Sequence, residues 1–261
     1  MARRNGFTLV ELVIAIVLLS IVATISVRFV TLSTQGAIDT GARQLRALSG
    51  VVISEQISRA LREALPTSVR TNNDGSCIEW MPALAASNYI DLPRGGTPNS
   101  FEAAALPDGN SANGRIVVYG YGRDLYDPSD PGPISPPATV PAGTSAVTVT
   151  FDSSETHRFN TNSPQKRFYV VDTPVTFCQV GRSLYRYKNY GIENAIGGNL
   201  PTGMPNREVL ATSLKRNSLI FSITPPSLQR GAVVEFEFVL EDTDSGETMT
   251  LRQEVQIRNV P

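Results

Sequence analysis

The residue in this chain whose placement most demands a chemical explanation is Glu11, a carboxylate inside an apolar run that extends on to Val27. The other candidates are weaker. His157 is the single histidine, which removes a multi-histidine metal site and leaves any Ser-His-Asp arrangement only that residue to use. With Glu155, Thr156, Arg158 and Asn160 beside it, His157 reads as part of a solvated loop or strand end. No phosphate-binding glycine loop, CxxC pair or Gly-x-Ser-x-Gly elbow occurs. Tyr185, Tyr187 and Tyr190 interleave with Arg186, Lys188 and Asn189 and could stack bases or sugars, although an amphipathic strand with half-buried tyrosines explains the same residues. Asp108-Gly109-Asn110 and the stretch Asp127–Asp130 carry oxygens that calcium accepts, but their spacing completes no ligand loop and turn chemistry accounts for them. A net charge of −1 over 261 residues gives no basic excess to attract nucleic acid. The expectation is a non-enzymatic protein with no cofactor, no metal site and no nucleic-acid partner.

Glu11 has to be positioned by the segment around it. From Phe7 to Val27 the chain is mostly Leu, Val, Ile and Ala, about 20 residues, which as a helix crosses a hydrocarbon core of roughly 30 Å. Arg3 and Arg4 precede it with no acid among the first ten residues, so the N-terminus should stay in the cytoplasm and the remainder be exported. An ordinary secretory signal would end in a small-x-small cleavage site, for which Ser20, Ala23 and Ser26 are available. Glu11 fits that alternative poorly. On insertion scales a carboxylate costs about 2.5–3.5 kcal/mol at a membrane helix centre and less toward the interface, so it marks a functional site and asks for a cationic partner.

Gly6-Phe7-Thr8-Leu9-Val10-Glu11-Leu12, behind the basic leader, resembles the class III signal of type IV prepilins and type II secretion pseudopilins. The resemblance implies that a prepilin peptidase cuts between Gly6 and Phe7 on the cytoplasmic side and N-methylates Phe7. Glu11 then becomes the fifth residue of the mature chain. In that superfamily such a glutamate is held to neutralise the N-terminal amine of a neighbouring subunit, which would supply the missing cation. The carry-over of functional residues ends with Gly6, Phe7 and Glu11.

Beyond the apolar run the helical pattern continues. Leu45, Leu48, Val52, Ile53, Ile57, Ala60, Leu61 and Ala64 recur at three- and four-residue steps, an apolar stripe that should face something solid. Leu65-Pro66 ends it. Gly36, Asp39, Thr40 and Gly41 are poor helix formers and mark a weak point. Strands are expected at Cys77–Met81, Arg115–Tyr119, Ala146–Phe151 and Arg167–Val171, with Leu219–Ile223 as a further candidate. Hairpins are expected over Val175–Tyr187, turning at Gly181-Arg182, and over Val233–Ile257, turning near Asp244–Gly246. Pro82 to Ala86 reads as a turn of helix, and Asp127 to Pro141, with six prolines, as an exposed loop. Cys77 and Cys178 lie in the part expected to be exported, where a disulfide between them would persist; two buried free thiols are the other reading.

The fold class expected is α+β, a long N-terminal helix packed on antiparallel β-sheet, as the resemblance to pilins implies. The segments are a leader (1–6), a membrane and assembly half of the helix (7–28), its periplasmic half (29–65) and a β-rich periplasmic domain (66–261) that could hold two β subdomains. Size, the long helix, the distant cysteines and the β-rich remainder resemble the larger minor pilins of the PilW and GspJ-like group, including those of mannose-sensitive haemagglutinin (MSHA) pili. The partners implied are other major and minor pilins, the prepilin peptidase, the pilus assembly platform and the bacterial inner membrane, crossed once. A secretion pseudopilin, or an adhesive or DNA-capturing module on a pilin stem, would use the same N-terminus.

Overall fold

The computed structural model describes residues 6–107 and 109–258. Among the described residues one α-helix, α1 (Leu9–Arg62), precedes fourteen strands, with short 3-10 turns at Pro66–Ser68 and Asp152–Ser154. The chain divides between Ser49 and Gly50 into two compact units. In the first, large apolar side chains from Leu9 to Leu32 are exposed, and the hydroxyls among them are satisfied locally: Ser20 Oγ donates to Ile16 O and Thr24 Oγ1 to Ser20 O, both at 2.7 Å. The expected weak point does not break the helix. Gly36 to Gly41 is α-helical, and Thr40 Oγ1 donates to Gly36 O at 2.7 Å; unfavourable propensities of about 1 kcal/mol per glycine are too small to interrupt a long helix.

In the second unit the strands are β1 (Arg70–Thr71), β2 (Cys77–Trp80), β3 (Ala83–Asn88), β4 (Ser100–Ala104), β5 (Ala112–Val117), β6 (Ile134–Val140), β7 (Ala146–Phe151), β8 (Arg167–Val171), β9 (Val175–Val180), β10 (Ser183–Tyr187), β11 (Arg207–Ala211), β12 (Ile220–Thr224), β13 (Ala232–Glu241) and β14 (Thr248–Ile257). They form a five-stranded sheet, β1-β2-β9-β10-β11, a three-stranded sheet, β12-β13-β14, and a six-stranded sheet, β3-β8-β5-β6-β7-β4. Every pairing within them is antiparallel. The last turns of α1 place Ile53, Ile57 and Leu61 in a core with Trp80, Phe177, Leu184, Phe236, Phe238 and Leu240, drawn from both smaller sheets. Each such side chain buried contributes about 1.5–3 kcal/mol.

The packed face of α1 differs from the expected stripe. Gly50, Ser54 and Ser58 are buried with the three large residues, whereas Leu45, Leu48 and Val52 are more than half exposed. Small residues let the helix axis approach the sheet: a Cβ on Gly50 would stand 2.8 Å from the Leu251 methyls.

The six-stranded sheet closes on itself. Its end strands meet where Tyr89 bridges Ala103 and Ile90 N–H donates to Glu102 O at 2.8 Å. Phe101, Phe151, Phe159 and Phe168 fill the interior, with Phe101 edge-on to Phe159 and Phe168 at 6.0 and 5.6 Å. This barrel is inserted between β2 and β9, which pair with each other.

Two sequence expectations fail inside the barrel. Pro82 to Ala86 is not helical; Ala83–Asn88 pairs with β8 as strand β3. The stretch Asp127 to Pro141 is not wholly an exposed loop, since Ile134–Val140 is strand β6 with Ile134, Ala138 and Val140 buried. Prolines survive there because a side chain substitutes for the ladder: Ile116 N–H donates to Ser135 Oγ at 3.0 Å where the β5–β6 register shifts.

Candidate assembly site at the helix start

Helix α1 starts at Leu9, which makes Thr8 its N-cap. Glu11 N–H donates to Thr8 Oγ1 at 3.3 Å, and Glu11 Oε2 accepts from the backbone N–H and the hydroxyl of Thr8, both at 3.1 Å. This is a reciprocal capping box, with the carboxylate at the positive end of the helix dipole. The Thr-x-x-Glu spacing that carries it was present in the sequence, but the apolar context drew attention to the missing cation instead. Both donors are neutral, so the box orients the carboxylate without neutralising it. Gly6 and Phe7 precede the cap, and Phe7 is 80% exposed. The geometry is that of a fixed anion at the head of an uncovered apolar helix, able to meet a cation from outside the chain.

Residues 1–27 match the family model described as the prokaryotic N-terminal methylation motif. That match supports a type IV pilin-like protein. No curated protein and no solved structure matches the chain. The motif implies processing by prepilin peptidase and pilin assembly contacts in general, and proteins that carry it are generally structural. Helix α1 is long and apolar enough to cross a membrane, which with the motif suggests membrane anchoring and association with a pilus.

In the second unit, Cys77 and Cys178 face each other across β2 and β9 as a directly opposed pair, with Cα atoms 4.2 Å apart, and form a disulfide. The bond spans 101 positions of sequence and joins the two strands from which the barrel leaves and returns.

The structure also brings together residues that the sequence did not single out. Glu79 on β2 is fully buried and pairs with Arg70. Its other oxygen accepts from the Tyr190 hydroxyl at 2.8 Å. Arg70 continues to the carbonyls of Glu193 and Asn194 and lies 3.4 Å from the centroid of the Tyr126 ring. Burial, then the Glu79 carboxylate, raises the Tyr190 phenol well above its ordinary value, so it stays a hydrogen-bond donor. This network joins β1, β2 and two loops; no contiguous motif announces it.

The remaining candidates resolve into packing. Tyr187 is buried, Tyr190 is held by Glu79, and the Arg207 guanidinium covers Tyr185 at 3.8 Å, so the tyrosine strand offers no bare stacking face. His157 is not solvated: it is 2% exposed, packed edge-on against Phe159 at 4.8 Å, with Nε2 3.2 Å from the Gly132 carbonyl. Its polar neighbours point away while its ring caps the aromatic interior of the barrel. Asp130 pairs with Arg158. Asp108 lies outside the described residues, and among those described no three His, Cys, Asp or Glu side chains gather as a metal site.

Proposed function

We propose that this chain is a minor pilin of a type IV pilus, of the MshO kind found in MSHA pili, made as an inner-membrane precursor. Prepilin peptidase removes residues 1–6 and methylates the new N-terminal Phe7. Residues 7–28 hold the chain in the membrane and then in the filament, and Glu11 receives the N-terminal amine of a neighbouring subunit. Residues 29–65 and the β-rich part from 66 to 261 lie in the periplasm before assembly, with the Cys77–Cys178 bond made there. The protein acts in assembly or initiation, or at the tip, where the inserted barrel is a natural carrier of adhesive contacts. The observation that carries this reading is the methylation motif at residues 1–27 heading an exposed apolar helix.

The test is the intact mass and N-terminal residue of the protein from its native cell, with and without the peptidase. N-methylated Phe7 that depends on the peptidase is expected. A start beyond the apolar run, or an uncut Met1, would remove the proposal. A minor pseudopilin of a type II secretion system would give the same N-terminus, and recovery of the chain in sheared pili is the result that separates the two.

A further inference from the structure

A cavity of ≈ 240 Å³ opens beside the barrel, where the turn that follows α1 and the loop between β12 and β13 reach it. Leu65, Val117 and Leu228 line it with the rings of Tyr119, Tyr121 and Tyr169, and Thr67, Ser163, Gln165 and Arg167 add polar groups to the wall. We propose that this cavity binds a small arene carboxylate, its flat ring against the tyrosines and its carboxylate on Arg167. The proposal is independent of the pilin reading, since no residue of the assembly helix before Leu65 is used.

The backbone indicates that the wall is built and held. Tyr119 has φ of +49°, a left-handed conformation that a bulky side chain rarely adopts and that concentrates at ligand-binding positions. The following Gly120 is pressed against its surroundings: a Cβ there would stand 2.8 Å from Thr67 Oγ1 and 3.1 Å from Leu125. The rings of Tyr119 and Tyr121 lie 5.5 Å apart with planes at 54°, a tilted pair in contact that a third ring can extend edge or face from the cavity side.

Charge identifies the other end of the ligand. Arg167 lines the cavity and, among the described residues, makes no ion pair and no side-chain hydrogen bond. A guanidinium beside apolar walls favours a planar carboxylate, which it meets with two parallel hydrogen bonds. Burial holds the Tyr169 phenol above its ordinary pKa, so it remains a donor rather than a competing anion. The volume lies just below the ~300 Å³ at which drug-sized sites begin, which suits a ligand of one or two rings.

The experiment is equilibrium binding of 2-naphthoate to the full chain in lipid nanodiscs, corrected for empty discs, against 2-naphthamide and glucuronate. Saturable naphthoate binding is expected, about tenfold or more tighter than naphthamide, because a charge-assisted hydrogen bond is lost in the amide. Arg167→Gln should abolish that preference. Tyr119→Gly should abolish binding and leave the barrel folded, because glycine's ease at this φ offsets part of the packing that the ring makes against the barrel core. Absence of saturable naphthoate binding overturns the proposal, as do equal binding of the amide, binding unaffected by Tyr119→Gly, or binding of glucuronate in place of naphthoate.

Discussion

The two ends of α1 belong to one continuous helix and have opposite environments. Around Ile14 to Ile25 its large apolar side chains are at least half exposed, while Ile57 and Leu61 are completely buried. Both stretches are helical for local reasons, yet only the second finds its partner within the chain, in the two smaller sheets. Sequence separates them: the packed end alternates large residues with Gly50, Ser54 and Ser58 and turns Glu55, Arg59 and Arg62 outward, whereas the free end from Leu12 to Val27 carries no charge on any side. A helix that is apolar all round is built to be surrounded. The contrast therefore separates what folds the body from what attaches it to something else.

The largest test of that contrast is truncation at either end. Leu61→Ala should destabilise the body by about 2–5 kcal/mol, the usual cost of a buried leucine cavity, read as a lower melting temperature in the near-ultraviolet. Leu18→Ala should change the same melt by less than about 0.5 kcal/mol. Equal effects from the two substitutions would break the division.

Glycines sharpen it. Gly50→Val should cost about 1–3 kcal/mol of body stability by overpacking against Leu251 and Leu240. Gly36→Ala meets nothing within 4 Å and should add about 1 kcal/mol of helix propensity without moving the body's melt. A stabilised body in Gly50→Val would show that the helix does not sit as close to the sheet as Gly50 requires.

A smaller difference is one of pH. Burial lowers the pKa of His157, with Arg158 acting in the same direction and the Gly132 carbonyl and Asp130 opposing. A histidine whose folded pKa lies below the unfolded value of about 6.5 binds fewer protons folded than unfolded. Its contribution is complete above about pH 6.5, declines as pH falls below that, and levels off beneath the folded value. The body should therefore melt earlier at pH 5.5 than at pH 7.5, with the difference reduced in His157→Phe, while helicity of the free part of α1 stays constant. A pH response unchanged by that substitution would place its origin elsewhere.

Legibility followed how local each signal was. The hairpins β9–β10 and β13–β14 could be read because alternation and a glycine turn are contiguous: Gly181 and Gly246 both take positive φ at the turns expected. Strand β3 was not legible, since Ala83-Leu84-Ala85-Ala86 has helical propensity and is extended only because β8 offers it a ladder. Strand β6 was obscured by Pro136 and Pro137, which bring no ladder donors; beside them Ser135 Oγ accepts from Ile116 N–H of β5, a partner too distant in sequence to weigh. The start of the chain was legible because Gly6, Phe7 and Glu11 fall within six positions. Glu79, Arg70 and Tyr190 are spread over 120 positions, and only the fold joins them.

The smallest effect on the fold concerns the residue with the largest proposed role. Glu11 does two things at once in this reading: it closes the capping box with Thr8, worth about 0.5–2 kcal/mol to the helix start, and it presents a charge to a neighbour's amine. Glutamine closes the same box without the charge. Thr8→Ala removes the threonine hydroxyl and keeps the charge. If charge is the function, Glu11→Gln and Glu11→Ala should both be cleaved normally yet be lost from sheared pili to a similar extent, while Thr8→Ala is incorporated nearly as well as the parent. If Glu11→Gln assembles normally and Thr8→Ala does not, the carboxylate serves its own helix and the intersubunit role proposed for it falls.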